Sequence, residues 1–202
     1  GDSGGYVQAG IGDFGAYSLE GVVNTPFSDT AAGRFAIKYA ERDGYGHNTM
    51  TDSEIGERDD LTIRGKLGFE FSDKFYGQLT LDYNEVNTGG QILEVLSGTE
   101  NPVFDGTLTA LFGETNSTAD GYDMVINQDH QDSVEDEQWG AAVHLDYEAD
   151  NFTFRSITAH RDWQATNRES AIRITGDVLP RDHFYKTTTF SQEFQILSPE
   201  DQ

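Results

Sequence analysis

Residues 60–84 read DLTIRGKLGFEFSDKFYGQLTLDYN, and the reading of this stretch decides the fold. Leu61, Ile63, Leu67, Phe69 and Phe71 alternate with Thr62, Arg64, Lys66 and Glu70. Past Ser72 and Asp73 the same period of two resumes, with Phe75, Leu79, Leu81 and Tyr83 set against Gln78, Thr80, Asp82 and Asn84. Successive side chains of a strand point to opposite faces, so the pattern is a β-hairpin with one apolar face. Each arm runs to about ten residues or more, whereas strands of soluble domains average ~5–6 and a bilayer is crossed by ~9–11 tilted residues. The hairpin therefore has membrane-spanning length. A soluble β-sandwich alternates in the same way under a facing sheet, so the choice turns on whether the rest of the chain repeats the pattern.

It does. Residues 6–13 read as a first strand ending in a tight connection at Asp13, Phe14 and Gly15. Residues 17–25 are a second, with Tyr17, Leu19 and Val23 on one face. Residues 34–42 are a third, where Phe35, Ile37 and Tyr39 oppose Arg34, Lys38 and Arg42. Residues 138–148 alternate Trp139, Ala141, Val143, Leu145 and Tyr147 with polar neighbours, and residues 186–197 put Phe190, Phe194 and Ile196 on the apolar side. Residues 152–164 slip: Phe152 and Phe154 share one parity, Ile157, Ala159 and Trp163 the other. Either a β-bulge near Arg155 and Ser156 restores the face, or the register is set differently. Pro26, Pro102, Pro180 and Pro199 fall between the expected strands, where a missing N–H breaks no ladder.

The connections are sorted. Short turns at 26–33, 72–73, 149–151 and from 198 onward alternate with long polar connections at about 43–58, 87–135 and 165–185. An up-and-down meander places all turns of one kind at one end, which is the asymmetry of an outer-membrane barrel. On this reading Leu67, Phe69, Leu79, Leu81, Val143 and Leu145 face acyl chains and Arg64, Lys66, Asp82 and His144 face water. Tyr39, Tyr83, Trp139 and Trp163 form an aromatic girdle near the long loops, and Phe71, Phe75, Tyr147 and Phe152 a second near the short turns. The expected fold is all-β: an antiparallel up-and-down meander of about eight long strands over residues 1–202, part of a larger transmembrane β-barrel.

Composition allows this. The 202 residues are 36% hydrophobic with a mean hydropathy of -0.59, too polar for a membrane helix, but only alternate residues of a barrel strand meet lipid. The formal charge of -23 excludes binding of nucleic acid through its phosphates, which needs clustered Lys and Arg. With no cysteine there is neither a disulfide framework nor a thiolate metal site. Gly1, Asp2 and Ser3 do not begin a signal peptide.

Three runs carry a family resemblance: LEGVVNTPFSD at 19–29, RFAIKY at 34–39 and ERDGY at 41–45. RSITAHRD at 155–162 and FSQEFQILSP at 190–199 add to it. In this order they resemble the barrel strands of TonB-dependent outer-membrane receptors. The likeness covers the strands and stops at the long loops. It implies a barrel of roughly twenty-two strands around an N-terminal plug, in the outer membrane of a Gram-negative cell. Such a barrel imports a scarce nutrient, with energy supplied through TonB. The chain is then an internal barrel fragment, with neither plug nor the aromatic-ended closing strand. Its partners would be outer-membrane lipid, the TonB complex through the missing N-terminal region, and a ferric siderophore, other metal chelate, cobalamin-like molecule or oligosaccharide.

No residue pattern points to catalysis, and no cofactor or metal is expected. The acidic 87–135 connection holds Asp129, His130 and Asp132, and near them Asp120 and Asp123, but neither group completes a ligand set. Tyr45, His47, Tyr122, Trp163, Arg168 and Arg181 are the candidate substrate contacts, rings and cations expected at the long-loop end of a barrel. Two rival folds remain. A complete eight-stranded structural or adhesin barrel requires the first and last strands to pair. A soluble β-sandwich binding module requires a facing sheet over Leu67, Phe69, Leu79 and Leu145.

Overall fold

The computed structural model describes residues 3–90, 106–107, 110–111, 123–126, 128, 130–170 and 180–198. These contain eleven strands: β1 (Gly4–Ile11), β2 (Tyr17–Ser28), β3 (Ala31–Arg42), β4 (Gly46–Asn48), β5 (Ser53–Ile55), β6 (Arg58–Ser72), β7 (Phe75–Thr88), β8 (Val125–Ile126), β9 (Ser133–Glu148), β10 (Thr153–Ser170) and β11 (Pro180–Leu197). Eight form one antiparallel sheet in the order β1-β2-β3-β6-β7-β9-β10-β11, and the other three form a small sheet ordered β5-β4-β8. The large sheet is the expected meander. β1 and β11 are its two edges and do not pair with each other, so the eight strands do not close into a small barrel. Among the described residues no second sheet faces it, so the sandwich is not formed either.

Three expectations are corrected. Residues 165–170 and 180–185 are strand, not loop: β10 and β11 stay in register from Thr153–Leu197 to Ser170–Pro180. The 43–58 connection is not irregular either, since it carries β4 and β5. In β10 and β11 polar residues enter both parities, so the period that announces a strand is lost although the backbone ladder continues, and β4 and β5, in a separate small sheet, are too short for any period. Pro26 lies inside β2, but β1 pairing ends at Gly4–Asn24 and the β2–β3 register shifts at Pro26–Ser28, so its missing N–H costs no ladder bond.

Directly opposed residues share a face, so the register sorts the side chains. One rung runs Gly33, Leu67, Leu79, Val143; the next runs Val23, Phe35, Gly65, Leu81, Ala141. This apolar face is uncovered: Leu81 is 51% and Phe194 78% exposed. The buried apolar residues among those described are only Val22, Ile55, Ile126 and Ala165. The accessible surface is 13284 Å², against roughly 9400 Å² for a compact globule of this mass. The large sheet is a single layer, with no extended core among the described residues.

Of the two readings open for residues 152–164 the bulge is not formed, and an unbroken ladder to β9 and β11 sets the register instead. Ser156, Thr158, His160 and Asp162 therefore fall on the apolar face, and Ile157, Ala159 and Trp163 on the polar one. The loop-end boundary of the apolar face is a line of rings, with Leu61 in place of a ring on β6. It passes through Tyr17, Tyr39, Leu61, Tyr83, Trp139, His160 and Phe190 on successive strands. Tyr39 is opposite Leu61, Tyr83 opposite Trp139 and His160 opposite Phe190, while each remaining step drops two residues along the ladder. Ring contacts span two of those steps, Tyr17–Tyr39 at 5.9 Å and Trp139–His160 at 5.1 Å. The line thus descends six residues in six strand crossings. With about 3.3 Å per residue and about 4.8 Å between strands, it is level only if the strands tilt by roughly 35°.

Candidate functional site

At the long-loop end, two distant segments dock on each other. β8 adds to β4 in parallel, His47 opposite Val125 and Asn48 opposite Ile126. Asn48 is fully buried and clamps the junction: its Nδ2 donates to the Gln128 carbonyl at 2.9 Å, while its Oδ1 accepts from the Gln128 and Met50 amides at 3.1 Å each. Gln131 ties the same segment to the 43–57 connection, donating to the Glu54 carbonyl at 3.1 Å and Glu57 Oε1 at 2.7 Å. Ile55 and Ile126, at 2% and 3% exposed, form the small apolar centre. Gln128 is 1% exposed and among the described residues neither atom of its side-chain amide finds a hydrogen-bond partner, a cost of ~1–3 kcal/mol that the docking must offset.

The candidate contacts divide into two groups. Tyr45 lies under Arg42, 4.9 Å from guanidinium to ring centroid, with Phe14 edge-on at 6.2 Å. His47 lies on β4, exposed, its Nε2 3.7 Å from Asp52 Oδ1. Trp163, Arg168 and Arg181 belong to the β10–β11 ribbon, across β7 and β9 from the first pair. Trp163 is not in the girdle: it stands on the polar face, donates to Asp136 Oδ2 at 2.6 Å and stacks on Tyr185. Arg168 is paired with Asp182 at 3.0 Å and Arg181 with Glu169 at 2.8 Å, both cations already compensated. Tyr122 lies outside the described residues, as do Asp120 and Asp129.

Sequence reasoning passed over a shallow, open depression of about 340 Å³ at the rim of β1, β2, β3 and β6. Gly10, Ser18 and Ala40 are among its small lining residues, and Glu41, Arg42, Arg58 and Asp60 supply its charge. Arg42 and Arg58 are directly opposed in the ladder, a repulsive pairing relieved locally. Arg58 Nε bonds both Asp60 oxygens at 3.1 and 2.8 Å, and Arg42 Nη2 donates to the Gly56 carbonyl at 2.6 Å. The only hint in the sequence was that two arginines bracket the 43–57 connection.

Outside the ring line, on the same face, is a row of acids: Glu41, Asp59, Glu85, Glu137 and Asp162, each one rung beyond its ring. Tyr17 and Tyr39 both donate to Glu41 Oε2, at 2.5 and 2.6 Å, and Tyr83 donates to Glu85 at 2.8 Å. The tyrosines thus have an apolar body against the belt and a polar tip at its boundary. Among the described residues no three His, Asp or Glu side chains converge as a metal site would require. No protein-family model matches the chain.

Proposed function

We propose that this chain forms part of the wall of a TonB-dependent outer-membrane transporter. It would import a scarce nutrient, with a ferric siderophore or other metal chelate first among the cargoes and a cobalamin-like molecule or oligosaccharide after them. One observation carries the membrane part of this reading: a single-layer sheet with an uncovered apolar face whose ring boundary descends one residue per strand. In water that face is untenable, because each exposed Leu or Phe forfeits ~1.5–3 kcal/mol of burial, and six of them consume the ~5–15 kcal/mol that holds a domain folded. Hydrocarbon removes the penalty. The roughly 35° tilt that levels the boundary falls at the low end of the 35–45° of membrane barrels, and the acid row beyond it then marks the headgroup region.

The cargo and the TonB coupling rest on the sequence resemblance, and on this reading the junction of β4, β5 and β8 would stand at the outer mouth. The test is uptake by the intact gene product in a receptor-deficient Gram-negative host supplied with iron only as ferric chelates. Growth that needs both this protein and TonB supports the reading. Growth without either, or a product that stays in the aqueous phase and runs at one mobility heated or unheated, overturns it.

A further inference from the structure

The apolar face is not uniform below the ring line. On β1, β2, β3, β6, β7 and β9 the band between that line and the short-turn girdle carries Ile, Leu, Val, Phe, Ala and Gly, with Thr25 its one hydrogen-bonding side chain. On β10 and β11 the same band holds Ser156, Thr158 and Gln192, Thr158 opposite Gln192. At about 3.3 Å per residue and the 35° tilt, they lie roughly 5–11 Å below the line. Thr158 Oγ1 donates to Gln192 Oε1 at 2.6 Å. Gln192 Nε2 donates to Ser156 Oγ at 3.0 Å and to the Ile157 and Glu193 carbonyls at 3.2 Å each. Ser156 Oγ accepts that bond, but its own hydrogen finds no acceptor among the described residues. On β11, Phe190 and Phe194 stand either side of Gln192, opposite His160 and Ser156. A hollow of small side chains on β10 thus lies beside two large knobs on β11.

Hydrocarbon is the wrong neighbour for this stripe. A hydroxyl or amide turned toward lipid loses its water without a replacement, and inside a membrane such groups collect where protein meets protein. We propose that the Ser156, Thr158 and Gln192 stripe is the contact through which two copies of this chain associate within the bilayer. The inference rests on the membrane reading of the apolar face and is independent of TonB and of the cargo. Two features select a second copy over an unrelated partner. The stripe holds both halves of a hydrogen bond, the Ser156 hydrogen to give and the spare lone pairs of Gln192 Oε1 and Thr158 Oγ1 to receive one. A twofold axis sets those groups against their complements, and the Phe190 and Phe194 knobs of one copy against the β10 hollow of the other, as an isologous contact requires. The three side chains also bear no formal charge in a chain of net charge -23, so the copies meet where like-charge repulsion is least.

The chain has no cysteine, so disulfide trapping reads the contact directly. Gln192→Cys and Thr158→Cys are introduced singly into the full-length protein, oxidised with copper phenanthroline in native membranes and separated without reductant. Leu67→Cys, on the apolar face of β6, is the lipid-facing control. The expected result is a covalent dimer made of this protein alone, at least tenfold more abundant for Gln192→Cys or Thr158→Cys than for Leu67→Cys or the unsubstituted protein. Dimer no more abundant than in the control for both variants overturns the inference. So does a product that contains a second protein, which assigns the stripe to a different partner. The unsubstituted protein in lipid nanodiscs should weigh as a dimer by light scattering, and a monomer there overturns the contact whatever the variants do. Heat-modifiable mobility separates the two readings: a protein that shows it and stays monomeric defeats this contact alone, whereas its absence from the unsubstituted protein defeats the membrane reading and the contact with it.

Discussion

Leu67 and Gln78 are near neighbours on adjacent strands and belong to opposite faces, so they separate the two environments of this sheet. Leu67 is opposite Gly33 and Leu79; Gln78 is opposite Gly68 and His144. Leu67→Arg is expected to destabilise the protein by ~2–4 kcal/mol, the cost of a basic side chain at mid-membrane. Gln78→Arg, at a half-buried position on the charged face, should cost no more than about 1 kcal/mol, the ordinary cost of a substitution that opens no cavity and strands no charge. Equilibrium unfolding in urea from lipid vesicles measures both, and equal small effects would mean that the apolar face meets water. Gly15 permits a second check. It turns the β1–β2 connection at φ 62, and a Cβ there would sit 2.0 Å from Asp43 Oδ2. Gly15→Ala should cost at least ~1 kcal/mol from the left-handed backbone alone, read as a lower unfolding midpoint. The parity of Leu67 was legible because alternation is written locally. The clash at Gly15 was not, since Asp43 arrives from another strand.

The elements show where that legibility stops. β2, β3, β6, β7 and β9 follow from alternation, to within a few residues at each end. β10 does not: its two parities disagree, and only pairing with both neighbours along sixteen or more residues settles the register. Its loop-end extension, with that of β11, was hidden because both parities are polar there. β4, β5 and β8 have two or three residues each, too few for any period, and they exist because Asn48 and Gln131 join segments about eighty residues apart. Asn48→Ala removes one donor and one shared acceptor from a buried junction, a loss of ~1–3 kcal/mol that stays local. Hydrogen exchange should speed up at the Met50 and Gln128 amides by roughly tenfold or more while the β6–β7 and β9–β10 amides keep their protection. Loss of protection throughout the sheet would instead make the junction part of the folding core.

For the whole molecule, the descending ring line fixes an angle. Polarised infrared spectroscopy of oriented bilayers containing the intact protein should give a mean strand tilt near 35°; strands lying flat in the plane, or standing upright, would break the link between the ring line and a membrane boundary. The same geometry separates the charges, placing acids beyond the rings on the apolar face and most cations on the opposite one. Alternation, strand length and the sorting of short turns from long connections are properties of neighbours along the chain, so the sequence alone determined an all-β meander with one apolar face. Register is a property of residues far apart in sequence and close in space. Only the tertiary structure therefore decided that the rings form one descending line, that Trp163 faces the charged side, that Asn48 and Gln131 join the 43–57 connection to residues some eighty positions away, and that Lys38, Arg64 and Lys66 stand together without partners among the described residues.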